Sequence, residues 1–112
     1  MDYDFEKNWK DLLTKLSEQF GAEMELDAIL FLVGVQELGQ GFRKFSKSEK
    51  MDLMHIAVCK LLEPFGYYTY EGNDADGWPH YSKQDNLPHL EAKEQQLLMK
   101  RALLEYFNYS NV

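Results

Sequence analysis

The sequence predicts a mainly α fold, four helices in a single domain spanning residues 1–112, with a short β-hairpin between the third and fourth helices. Three observations carry that expectation. Apolar residues recur at steps of three and four over four separate stretches, which is the period of a helix face. Strand-forming aromatics on either side of a turn rich in Gly and Asp interrupt that period once. The 112 residues, 45% of them hydrophobic, are enough for one core, and a domain of this size buries roughly two thirds of the surface its unfolded chain exposes.

The first helix is expected over about residues 4–20. Phe5, Trp9, Leu12, Leu13, Leu16 and Phe20 form its apolar side, and Glu6, Lys7, Lys10, Asp11 and Lys15 take the other. Asp2 or Asp4 can cap its start and Gly21 can end it. The second runs over about 23–38, with Glu23, Glu25 and Asp27 suited to the positive end of the helix dipole and Gly39 to its stop. Its centre, "AILFLVGV", is apolar nearly all round, which marks the most buried element, and Gly34 allows another helix to approach closely.

The third helix, about 47–63, has the sharpest start signal. In "SKSE" the Ser46 hydroxyl can accept from the Glu49 amide while the Glu49 carboxylate reaches back to the Ser46 amide. Met51, Met54, Val58, Leu61 and Phe65, flanked by Leu53, Ala57 and Leu62, give its apolar stripe, and Pro64 and Gly66 end it. The hairpin is expected at about 67–82, with Gly72, Asn73, Asp76 and Gly77 turning the chain and Pro79 limiting its strand to an edge position. The fourth helix is expected from Pro88 or His89 to Phe107, with Leu90, Leu97, Leu98, Ala102, Leu103 and Tyr106 on the core side.

Composition excludes several functions. A net charge of −7 repels a phosphate backbone, so nucleic acid is not an expected partner. The longest apolar run is far short of the roughly 20 residues that span a membrane. A single cysteine, Cys59, and an acidic opening without an apolar leader point to the cytoplasm. No nucleophile elbow, zinc cysteine cluster or dinucleotide fingerprint is present, and no cofactor is implied.

Four constellations carry chemistry worth weighing. "DADG" matches the middle of a calcium loop, but with Gly77 at the sixth place Gly72 falls at the first and Lys83 at the twelfth, where a glutamate is needed; an acidic turn is the better reading. "GVQELGQG" has P-loop glycines with Gln40 and Gly41 where Lys and Ser or Thr belong, so it is no phosphate loop. Asp52, His55 and Cys59 share one stripe of the third helix, an arrangement suited to a metal edge or a thiol beside a base, with Glu37 of the neighbouring helix as a further carboxylate; a buried cysteine is more commonly a small core residue. Arg43, Lys44 and Lys47 at the start of that helix could receive a carboxylate or phosphate, although solvated charge is the better explanation of them.

The remaining feature is aromatic. Tyr67, Tyr68, Tyr70, Trp78, His80 and Tyr81 crowd the hairpin, and alternation should bury one set on the helices and turn the other outward, unless all pack on the bundle. Tyr and Trp are enriched at protein interfaces. The segments "LDAILFLVGVQELGQG", "KMDLMHIAVCKLL" and "DGWPHY" together resemble a family of short bacterial proteins of uncharacterised function. That resemblance implies a stand-alone bacterial domain and carries over no activity, ligand or catalytic residue. The sequence therefore favours an acidic cytoplasmic interaction module, not an enzyme, that binds a protein partner through Tyr70, Trp78, His80 and Tyr81. Self-association is the variant of that reading. The alternative is a small metal- or thiol-dependent enzyme using Asp52, His55 and Cys59.

Overall fold

The computed structural model describes residues 3–21 and 23–107. It contains α1 (Tyr3–Phe20), α2 (Leu26–Leu38), α3 (Lys47–Leu62), a short 3-10 turn (Glu63–Phe65), β1 (Tyr68–Asn73), β2 (Pro79–Lys83) and α4 (Ala92–Tyr106). Four helices with an antiparallel hairpin between the third and fourth is thus the observed architecture. The chain forms two compact units, one built from α1 and α4, the other from Leu26–Pro88. Among the described residues no helix is long and apolar enough to cross a membrane.

In the second unit α2 and α3 pack at close range because Gly34 has no side chain. A Cβ there would fall on the Leu53 carbonyl group, 2.7 Å from its carbon. This contact sets the rotation of α3. Its buried residues are Leu53, Ile56, Ala57, Cys59, Leu61 and Leu62, so the inward face is turned from the expected stripe, and Met51 is 64% exposed. On α2, Ile29, Leu30, Val33, Gly34, Val35 and Leu38 are buried, as its all-round apolar character requires. Val35, Leu38, Leu53 and Phe45 form one cluster, against which Phe31 and Trp78 pack.

The start of α3 follows the "SKSE" expectation. Glu49 N–H donates to Ser46 Oγ at 3.1 Å and Ser46 N–H to Glu49 Oε1 at 2.9 Å, a reciprocal pair in a motif whose loss costs about 1 kcal/mol. Two other helix starts differ from expectation. The second helix begins at Leu26, not near residue 23, because Met24 N–H turns back to Ser17 Oγ at 3.3 Å. The fourth begins at Ala92, not at 88 or 89, because Glu91 is extended (φ −72°, ψ 161°) and its amide donates to Glu94 Oε1 at 3.4 Å. Asp4 lies inside the first turn of α1 and not at its cap; Asp2 lies outside the described residues.

In the first unit the buried residues are Leu12 and Leu16 of α1 with Met99, Ala102, Leu103 and Leu104 of α4. Leu97, expected on the core side, is 46% exposed, and Phe20 is 42% exposed. Met99 and Leu104 take the inward positions instead, a rotation of the apolar face by less than one helical step.

Candidate functional site

The hairpin tip is organised by one carboxylate. Asp74 Oδ1 accepts from the amides of Asp76 at 2.9 Å and Trp78 at 3.0 Å, and Asp74 Oδ2 lies 2.9 Å from His80 Nε2. The Asp74 amide donates to the Trp78 carbonyl at 2.9 Å. Gly77 (φ +87°) completes the turn in a conformation that favours glycine, and the Gln40 side-chain amide donates to the Asp76 carbonyl at 2.9 Å. The His80 bond first, then the Trp78 and Asp76 amides, hold the Asp74 carboxyl below its ordinary range. These contacts give Asp74 the structural role of an Asx turn.

The strands carry this tip to α3. Tyr70 pairs with Tyr81 and Thr69 with Ser82, with a bulge at Glu71. The tyrosines therefore share one face and the hydroxyl residues the other. Tyr68 falls on the tyrosine face, and its ring meets His55 of α3 edge-on at 6.4 Å. Tyr70 and Tyr81 lie 5.5 Å apart, and burial, followed by the Glu63 and Glu37 carboxylates, pushes the Tyr81 hydroxyl up to about 12. The opposite face is polar, with Ser82 Oγ donating to Glu71. Tyr68 thus meets the helix; of the expected contact residues Tyr70 and His80 are exposed, while Trp78 and Tyr81 are half-buried.

Between α3 and the hairpin lies a cleft of about 320 Å³. Ile56 and Cys59 of α3 and Trp78, Pro79 and Tyr81 of the hairpin form its walls; Asp52 and His55 line it from the helix, Asp74 from the turn and His80 from β2. The structure therefore joins two groups of residues that the sequence keeps apart. Cys59 Sγ sits 3.6 Å from His55 Nε2. Burial pushes the Cys59 thiol up to about 11, so at neutral pH it carries its proton and is a poor nucleophile. Among the described residues no three His, Cys, Asp or Glu side chains are grouped to hold a metal ion. Asp52, His55 and Cys59 share the cleft without forming such a set. Glu37 is outside the cleft lining, its carboxylate 4.0 Å from Lys60 Nζ.

The basic start of α3 is not part of this cleft. Arg43 is paired with Glu49 at 3.3 Å and lies over the Phe45 ring at 4.3 Å. The Ser46 amide, above all, keeps the Glu49 carboxyl below its ordinary range. Glu49 thus places a negative charge where an anion would approach, leaving Lys44 and Lys47 as exposed lysines. Sequence reasoning did not find Gln40 as a support of the turn, nor the meeting of His55 with Tyr68. Both are contacts between elements, for which residue spacing holds no signal.

Comparison with family models, with curated proteins and with solved structures finds no match. The resemblance to short bacterial proteins gains no support from these comparisons, and the reading of the cleft rests on its own geometry.

Proposed function

We propose that this protein is a non-enzymatic binding module whose contact site is the cleft between α3 and the hairpin, and that the cleft receives a basic side chain of a partner protein. One observation carries the reading. Among the described residues the cleft lining has two carboxylates, Asp52 and Asp74, two aromatic walls, Trp78 and Tyr81, and no lysine or arginine. Aromatic faces attract a cation, and a carboxylate at the rim orients it. Asp74 is held by its own turn, so Asp52 is the carboxylate available for a partner's guanidinium or ammonium group. The net charge of −7 steers the same class of partner towards the surface.

The competing chemistry on Asp52, His55 and Cys59 has less behind it. A thiol raised to about 11 gives little thiolate, and a metal needs ligands that are not grouped here. Elemental analysis finding a metal lost on His55→Ala would reverse this ranking. The binding reading is tested by nuclear magnetic resonance titration with a short arginine-containing peptide. Shifts confined to residues 52–59 and 74–81, lost in Asp52→Asn, are the expected result. Shifts that ignore the Asp52→Asn change, or no shifts in the cleft, would sink the proposal.

A further inference from the structure

The first unit carries a second groove with the opposite electrostatic character. It lies on α1 and α4, has a volume of about 660 Å³, and is lined by Phe5, Glu6, Trp9 and Lys10 of α1 and by Leu97, Lys100 and Arg101 of α4. Three of these residues are cationic and one is acidic, in a chain that has 19 acidic residues against 12 basic ones. The groove reverses the sign of the molecule.

Two of its cations are also held in place. Lys100 Nζ stands 5.4 Å above the centre of the Trp9 ring, and the Arg101 guanidinium 5.7 Å from that of Phe5. Both distances are within the range of a cation–π contact. Such contacts restrict long side chains that would otherwise lose rotamer freedom on binding. In the same lining Leu97, one helical turn before Lys100 and Arg101 on α4, is 46% exposed, an apolar side chain left in water beside the cations.

We infer that the α1–α4 groove docks an acidic segment of a partner protein, with carboxylates on Lys10, Lys100 and Arg101 and an apolar side chain on Leu97 and the edge of Trp9. The local charge balance selects the occupant. At physiological ionic strength, charges beyond about 8 Å are largely screened, so an incoming carboxylate responds to the groove more than to the distant acidic surface. An apolar anchor flanked by carboxylates satisfies the exposed leucine and the cations together, and a peptide presents both at the spacing of neighbouring residues.

The test uses the full chain and a labelled peptide of glutamates around a central Leu-Phe pair, followed by fluorescence anisotropy. Wild type should bind it, Lys100→Arg should retain binding, and Lys100→Glu combined with Arg101→Glu should weaken it by about tenfold or more, the loss expected when charge pairs become like-charge contacts. Asp52→Asn should leave this binding unchanged, so failure here and failure of the α3–hairpin cleft are separable. If the double variant loses its circular dichroism signal, Lys10→Glu on α1 supplies the same comparison. An unaffected double variant, or no binding by wild type, overturns the inference. An oligonucleotide that displaces the peptide at equal concentration would replace the protein occupant with nucleic acid, and a dimer dissolved by Arg101→Glu but untouched by the peptide would replace it with a second copy of the chain; either result overturns the assignment to an acidic partner segment.

Discussion

The cleft beside α3 and the groove on α1 and α4 use similar parts to opposite ends. Each combines aromatic rings with charged side chains, but among the described residues the first has carboxylates and no lysine or arginine, and the second has Lys10, Lys100 and Arg101 against Glu6 alone. They also differ in what holds them. The cleft is fixed by backbone: Gly34 seats α2 on Leu53, Asp74 ties the turn through two amides, and Trp78 packs on the Val35, Leu38, Phe45 and Leu53 cluster. The groove is fixed by side chains lying on one another along two helices. A site built from backbone contacts should fail through the fold, and a site built from surface side chains should fail through binding alone.

The largest effect that would sharpen this contrast is Gly34→Ala. The added methyl meets the Leu53 backbone, which cannot swing aside as a flexible side chain can, and urea denaturation should show a loss of about 3 kcal/mol. A loss below that of the other variants would mean α2 and α3 are not locked as described. Trp78→Ala comes next, because the ring packs on the Val35, Leu38, Phe45 and Leu53 cluster without being fully buried; a loss of about 2 kcal/mol is expected, with broadened hairpin resonances. This differs from the expectation of an exposed partner-contact tryptophan, whose removal would leave stability unchanged.

Acid should act on the same unit. The Asp74 carboxyl in the folded chain titrates below its ordinary value of 3.8, so its stabilising contribution is fully present above that value and is lost as pH falls through the lower, folded-state value. The turn resonances of Asp76 and Trp78 should therefore shift below about pH 4 in wild type, and Asp74→Asn should remove that transition. A hairpin that loosens at neutral pH instead would contradict the role given to Asp74. The smallest effect belongs to the groove. Arg101→Ala removes one exposed cation–π contact and should cost about 0.5 kcal/mol, while binding of the acidic peptide falls. If it destabilised the chain as much as Gly34→Ala, the distinction between the two sites would not stand.

Much of the fold was legible because it rests on local signals. Helical spacing gave the four helices, "SKSE" gave the Ser46–Glu49 capping box, and Gly34 marked the close approach. What escaped were rotations and meetings. Met51 and Leu97 have the period of core residues, yet the α2 contact at Leu53 turns one outward and Met99 and Leu104 displace the other. Asp52, His55 and Cys59 were visible as a helical stripe and Trp78, His80 and Tyr81 as a hairpin cluster. Their common cleft exists only because β1 and β2 return along α3, a tertiary fact that neither stretch encodes alone. Tyr70 and Tyr81 share a face only through the bulge at Glu71, which no turn residue announced.

The central claim is that the cleft selects a cation. It is tested most directly by titrating one isotope-labelled sample in turn with the arginine peptide and with its glutamate counterpart. The arginine peptide should move the amides of residues 52–59 and 74–81, and the glutamate peptide should leave them in place while moving those of 5–10 and 97–101. If the glutamate peptide moves the cleft residues as far as the arginine peptide does, the cleft does not select for positive charge and the proposed function is wrong.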